Sequence, residues 1–381
     1  MIKAEQFISA LEKRGYTHCS GVPCSLLKPF INRVIDDERI DYVAASSEGE
    51  AVGINIGAHL AGQKTVTICQ NSGFGNMVNP LTSLCEPFRI PTLLIITWRG
   101  KPGSGDEPQH TFMGKILPDL LDTLEIPWRS FPAEVSEIEK TLEEADGWMS
   151  KNKRPFALLM SRGDVDSYQL KNNFRPLPQE TEKKGKIKRS GEYELDRRRA
   201  IEIIHESLPG DHAFIGSTGK IGRQLYARED RENNLYVVGG MGIASAIGCG
   251  LALNRPRLPV VVLDGDGAIL MKMGNLATIG AYQPRNLLHI ILDNECHDST
   301  GGQKTVSEIV NFTGAAAACN YRCTYYADSE KSLRGALKDR SLKEGPVLIH
   351  LKIKPGSPPD LPRPHLTPEE VKKRFMKFVK D

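Results

Sequence analysis

Two short apolar runs, VVVL at 260–263 and LLHIIL at 287–292, constrain the fold more than any other feature of this chain. The first closes in Gly265-Asp266-Gly267 and the second in Asp293-Asn294. Short β-branched runs that stop at Gly or Asn read as buried strands, and segment 268–282 between them reads as a helix. A strand, a helix and a strand in that order make a parallel pair whose ends leave the same edge of a sheet. Asp266 and Asn294 are then brought together although 28 positions separate them. A carboxylate and an amide oxygen on one sheet edge suit a hard divalent cation such as Mg2+.

The rest of the chain repeats this alternation. Strand-like runs at 64–73, 91–100 and 154–162 are separated by helical patterns at 48–62, 79–90, 112–124 and 135–151. From about 164 to 196 the pattern stops in a polar, Pro-containing, charged stretch that reads as a linker. A second alternating series begins near Arg197, and a last helix starts at Thr367. The expected architecture is α/β: two domains, each a parallel sheet covered by helices, with no middle domain. The expected boundaries are 1–165, a linker at 166–195, and 196–381.

Composition narrows the classes of function. Fifty basic and 47 acidic side chains leave a net charge of +3, so nothing draws the whole chain to nucleic acid or membrane. The basic cluster Lys183, Lys184, Lys186, Lys188 and Arg189 lacks an aromatic platform and reads as solvated linker. Eight cysteines, none in a Cys-x-x-Cys pair, give no support to an iron–sulfur or zinc-ribbon site, and several read as buried free thiols. The first fifteen residues read as a charged amphipathic helix rather than a signal peptide, and the longest apolar runs are too short for a bilayer. A cytoplasmic protein is the expectation.

Two glycine-rich turns precede helices in the second half: GSTGKIG at 216–222, holding Thr218, Gly219 and Lys220, and GGMGIASAIG at 239–248, holding Gly240, Met241 and Gly242. Bare backbone N–H groups at such turns hold phosphate. With the Asp266/Asn294 pair they suggest a diphosphate held through a metal. The loop 99–110 places Arg99, Lys101 and His110 at a strand end, where α/β proteins bind ligands, and Arg suits bidentate contact to an oxyanion. Lys304 and Lys220, each in a glycine turn, are further anion candidates.

Gly265-Asp266-Gly267, 25 intervening residues, then Asp293-Asn294 resembles the thiamin diphosphate signature of GDG, some two dozen residues, and NN. The sequence departs from it at Asp293. By resemblance, Asp266, Asn294 and the backbone carbonyl of Cys296 bind Mg2+, which binds the diphosphate, and Met241 supports the bent cofactor. SSEGEAVGINIGAHLAG at 46–62 resembles the glutamate ahead of a small-residue helix that thiamin enzymes use to activate the aminopyrimidine. Glu48 takes that role, with Glu50 as the competing assignment. QNSGFGNMVNPLTSL at 70–84, WRGKPGSGDEPQHTFMG at 98–114 and DNECHDSTGGQKT at 293–305 are similar to the phosphonopyruvate decarboxylases, a family close to the sulfopyruvate decarboxylases.

The resemblance implies decarboxylation of 3-phosphonopyruvate to phosphonoacetaldehyde and CO2, a step of phosphonate biosynthesis. It implies a small 2-oxo acid substrate with a second anionic group, and a homo-oligomer with active sites between subunits. Asn71, Ser72, Arg99, Lys101 and Lys304 become substrate-binding candidates, and His110 a proton donor to carbon. Sulfopyruvate as substrate and a non-catalytic thiamin diphosphate-binding protein are the alternatives.

Overall fold

The structure is a computed structural model that describes residues 1–37, 39–171, 178–184, 193–208, 210–339, 344–358 and 360–380. The chain divides into two compact units, Met1–Arg175 and Pro176–Asp381, each built on its own parallel sheet.

The first unit runs α1 (Ala4–Lys13), β1 (Tyr16–Gly21), α2 (Lys28–Ile35), β2 (Asp41–Ala44), α3 (Glu48–Leu60), β3 (Lys64–Gln70), α4 (Gly75–Pro80), α5 (Glu86–Phe88), β4 (Leu93–Thr97), α6 (Pro108–Thr123), β5 (Trp128–Ser130), α7 (Val135–Asn152) and β6 (Phe156–Met160). Its strands lie in the order β2-β1-β3-β4-β6-β5. β4 and β6 are buried along their whole length, as expected of strands covered on both faces. In α3, Gly49, Ala51, Gly53, Gly57 and Ala58 are all buried, so the helix backbone lies close on the sheet. Asn55 is buried with them, and its Nδ2 donates to Val66 O at 3.0 Å and Thr67 Oγ1 at 2.6 Å.

The second unit contains β7 (Glu182–Lys184), α8 (Arg197–Ser207), β8 (Ala213–Gly216), α9 (Lys220–Arg228), β9 (Asn234–Tyr236), α10 (Ala244–Asn254), β10 (Val260–Gly265), α11 (Asp266–Met271), α12 (Gly274–Tyr282), β11 (Leu287–Asp293), β12 (Cys296–His297), β13 (Gln303–Lys304), α13 (Phe312–Ala318), β14 (Cys323–Ala327), α14 (Glu330–Lys338), β15 (Val347–Lys352) and α15 (Pro368–Lys380). The sheet order is β7-β14-β15-β11-β10-β8-β9, all parallel, while β12 and β13 form a separate antiparallel ribbon. The apolar runs at 260–263 and 287–292 are thus neighbours near the middle of a sheet.

Three expectations need correction. The single helix at 268–282 is two helices: α11 begins earlier, at Asp266, and stops at Met271 before α12 starts at Gly274. Tertiary bonding accompanies the break, since Asn275 Nδ2 donates to Gly242 O at 2.9 Å and Ser245 Oγ at 2.8 Å. The expected linker 166–195 contains a strand, β7, which pairs with β14. Of its basic cluster, Lys184 pairs with Asp339 at 2.9 Å and Glu182 at 3.0 Å, while Lys186, Lys188 and Arg189 lie outside the described residues. His110, expected in a loop, sits in the first turn of α6. All eight cysteines are free, six of them buried. No helix among the described residues is long and apolar enough to cross a membrane.

Burial of one imidazole sets an acid limit on the first unit. His18 on β1 is shielded from water, and that desolvation pushes its pKa down to about 4. Its unfolded value is near 6.5, so between those two pH values the unfolded chain binds the extra proton and stability falls as pH falls. The full effect is about 3 kcal/mol. Urea unfolding at pH 7, 6 and 5 should show a decline that His18→Leu makes shallower, what remains being set by His205, pushed to about 4 by the same desolvation, against the raised Asp266, which acts with the opposite sign. An equal slope in that variant would rule His18 out as the cause.

Candidate active site

β10 and β11 pair with Gly265 opposite Leu292, so the residues just past both strand ends emerge side by side. Asp266 and Asn294, only 2% and 6% exposed, line one cleft together with Gly267, Cys296, Met241 and the Thr218-Gly219-Lys220 turn. The cleft is small, with a volume of about 60 Å³. Burial pushes the Asp266 carboxyl up to about 6, against a lowering hydrogen bond from Thr305 Oγ1, and among the described residues no cation pairs with it. A divalent ion there would reverse that cost. Asn294 Nδ2 donates to Cys296 Sγ at 3.3 Å, which leaves the amide oxygen as the donor to a metal. The Cys296 thiol in turn donates to Asp298 Oδ1 at 3.2 Å, and burial with that acid lifts its pKa to about 12. An aspartate, an amide oxygen and a nearby backbone carbonyl form an oxygen donor set that fits Mg2+.

The glycines of the cleft are there for close approach. A Cβ on Gly267 would come within 2.6 Å of the His297 ring, and one on Gly242 within 2.7 Å of Ala268 O. Gly219, Gly240 and Gly242 all have positive φ, which lets both turns present backbone to the cleft. Thr218 Oγ1 donates to Val238 O at 3.0 Å and fixes one turn against the chain leading to the other. These features fit a diphosphate cradle.

Asp293, where the signature has Asn, is fully buried and takes four donors. Glu295 N and Ser307 Oγ reach Oδ1 at 3.0 and 2.8 Å, and His350 Nε2 and Lys352 Nζ reach Oδ2 at 2.7 and 2.8 Å. Burial alone would raise its pKa, but His350 and Lys352 bring it down to about 2. Lys352 also bonds Glu295, which accepts from Tyr193. The acid is therefore matched by a buried cation from the neighbouring strand β15, a partner that sequence reasoning misses.

In the first unit, hydrogen bonding separates the two glutamates. Glu50 is 1% exposed and its Oε2 accepts from Ser46 N and Ser46 Oγ, both at 2.6 Å, so it caps the helix entry. Glu48 is half-buried, accepts from Asn76 Nδ2 at 2.8 Å, and lies against Gly73, where a Cβ would stand 1.9 Å from Oε1. Glu48 is the carboxylate with room to meet a ligand.

The expected anion loop is arranged differently. Arg99 is held by Asp106 in a two-pronged pair, Nε–Oδ2 and Nη2–Oδ1 both at 2.6 Å, with Nη1 on Ser25 Oγ at 3.1 Å. That hydrogen-bonded pair holds the Asp106 carboxyl well below the usual range, and the charge of Arg99 is already matched. Lys101 lies over the Trp98 ring at 4.8 Å. His110 is buried, and its Nδ1 has no partner among the described residues. Asn71 is fully buried and donates to Arg99 O at 2.7 Å, a structural contact, while Ser72 accepts from Gln70. Lys304 is exposed on β13, opposite Cys296.

Comparison with known proteins gives a consistent picture. Residues 1–123 match the family described as thiamine pyrophosphate enzyme, N-terminal TPP binding domain, and residues 215–351 its C-terminal TPP binding domain. Phosphonopyruvate decarboxylase of Streptomyces viridochromogenes is 44% identical over all of this chain and 95% of its own. The enzyme of that name from Streptomyces hygroscopicus is 42% identical over all of this chain and 94% of its own. Sulfopyruvate decarboxylase of Methanosarcina acetivorans is 31% identical over 97% of this chain and 96% of its own. Benzoylformate decarboxylase from Polynucleobacter necessarius shares the fold, with a TM-score of 0.70 at 13% identity over 93% of this chain and 99% of its own. On two matched domains and full-length identity, the chain belongs to the thiamine pyrophosphate enzymes, in the family of the phosphonopyruvate decarboxylases.

Proposed function

We propose that this chain decarboxylates 3-phosphonopyruvate to phosphonoacetaldehyde and CO2, with thiamin diphosphate and Mg2+. The observation that carries the reading is 44% identity along the whole chain to an enzyme named for that substrate. Thiamin diphosphate, when bound, supplies the electron sink for the pair left behind by CO2. Asp266 and Asn294 would hold the metal, and the turns at Thr218–Gly219 and Gly240–Gly242 would receive the diphosphate. Met241, half-buried on the cleft wall, would support the cofactor ring. Glu48 would meet the aminopyrimidine nitrogen, and Asn76 Nδ2, which donates to its Oε2, would hold the carboxylate in place. His110, whose Nδ1 has no partner among the described residues, is the candidate to protonate product carbon. On this reading residues 1–165 and 196–381 are the two cofactor-binding domains, and the chain acts as a homo-oligomer whose sites join residues of two subunits.

The test is CO2 release from phosphonopyruvate, sulfopyruvate and pyruvate at one pH and salt. Pyruvate lacks the second anion, and forgoing a charge-assisted hydrogen bond costs about 1.5–3 kcal/mol. The kcat/KM for phosphonopyruvate should exceed that for pyruvate by about tenfold to several hundredfold. A larger value for sulfopyruvate would move the assignment to the relative at 31% identity. No turnover of any of the three with loaded cofactor would leave the non-catalytic reading.

A further inference from the structure

A second cleft, of about 560 Å³, opens beside the cofactor cleft and shares Thr218, Gly219, Lys220 and Ser299 with it. Three cations line it, Lys220, Arg223 and Arg363, and no acidic residue does. Among the described residues none of the three forms an ion pair. The remaining wall is largely apolar, with Val237, Leu366 and Val371.

The three come from two pieces of chain fixed to one another. Lys220 and Arg223 stand three apart on α9, the spacing that puts side chains on one helix face. Arg363 belongs to the extended segment leading into α15, framed by Pro362 and Pro364, which restrict its backbone. Arg223 Nε donates to Pro362 O at 3.2 Å, and the Tyr226 and His365 rings meet edge to face at 6.0 Å. α15 anchors the far end through Arg374, whose two nitrogens reach Asp230 at 2.6 and 2.9 Å. With its Nε occupied, Arg223 keeps its terminal nitrogens for a ligand.

We infer that this cleft is the recognition site for the second anion of the substrate, held by Lys220, Arg223 and Arg363 rather than by the loop of Arg99 and Lys101. The inference rests on the proposed decarboxylase reading, which supplies a three-carbon acid with an anion at its far end. Guanidinium groups bind such oxyanions through paired N–H donors. A phosphonate, able to carry two charges, uses three cations better than a singly charged sulfonate does.

The experiment combines kinetics with a ligand that cannot react. Arg223→Met, Arg223→Lys and Arg363→Met holoenzymes are assayed on phosphonopyruvate and pyruvate, and titrated calorimetrically with 3-phosphonopropionate and with thiamin diphosphate plus Mg2+. Arg363 is exposed, so its variant keeps the test open even if Arg223→Met does not fold. Each Met variant should lose about ten- to a hundredfold in 3-phosphonopropionate affinity and in the preference for phosphonopyruvate over pyruvate, with Arg223→Lys between. Cofactor affinity should hold within about twofold in the Arg363 variant, since Arg363 does not line the cofactor cleft. Unchanged probe binding overturns the inference while leaving wild-type phosphonopyruvate turnover, and the functional reading, intact. A parallel loss of thiamin diphosphate affinity also overturns it, because the cations would then serve the cofactor. If wild type does not turn over phosphonopyruvate, the functional reading fails, and the inference fails with it unless 3-phosphonopropionate binding still depends on both arginines.

Discussion

Asp293→Asn should destabilise the chain by about 3 kcal/mol, even though it installs the residue more usual in the signature. The carboxylate it removes faces buried Lys352 at 2.8 Å and buried His350 at 2.7 Å. An amide cannot balance Lys352, and its nitrogen would point a donor at groups that are themselves donors. Glu295, also bonded to Lys352, retains part of the compensation and keeps the loss at the low end for a broken buried pair. Urea unfolding at pH 7 measures it. The double variant Asp293→Asn, Lys352→Met should recover much of the loss, since the stranded charge is gone. Additive losses in the double variant would mean that the two side chains do not act as a pair.

Asp266→Ala has the larger functional effect and the opposite structural one. Affinity for thiamin diphosphate in Mg2+ should fall by about a hundredfold or more, because on the proposed assignment the metal loses its one charged side-chain ligand. The metal-free variant should melt no lower than the metal-free parent. A carboxylate 2% exposed, with no cation beside it among the described residues, is a cost to the empty fold that alanine removes. Calorimetric titration and a thermal scan of the metal-free proteins read the two halves separately. Wild-type cofactor affinity would refute the metal assignment, and a sharp drop in metal-free stability would show that Asp266 carries a structural load.

The half of the site on β10 and β11 is legible in the sequence because its runs are long enough to show their period and their closing residues are distinctive. Strands of two or three residues, such as β5, β7, β9, β12 and β13, expose too few side chains for alternation to register. Glu48 and Glu50 share a helix turn and a composition; only the Ser46 hydrogen bonds tell them apart, and those follow from three-dimensional geometry. Arg99 misleads for a different reason. Its partner Asp106 lies in the same loop, and a cation there is an anion site only if that acid leaves it unmatched. The counterion of Asp293 is invisible in a single sequence because His350 lies 57 positions along, on a strand made adjacent by the sheet order. Arg223 and Arg363 give no signal because α9 and the C-terminal segment meet only on folding.

The edge strand β7 bears on how the second sheet behaves in a crowd of its own copies. β14, with the sequence CTYYA, is buried throughout and would otherwise be the rim of the sheet. A bare rim of that kind offers unpaired backbone groups, flanked by aromatic side chains, to any strand that drifts past. β7 covers it with Glu182-Lys183-Lys184, in register with Cys323, Thr324 and Tyr325. The described part of the new rim, Glu182–Lys184, is charged in both signs and turns Lys183 to water. A further strand pairing there has a charge to desolvate. Glu182, Lys183 and Lys184 thus put charge where a bare apolar rim would invite pairing between copies, and these are among the residues that make the stretch read as a tether.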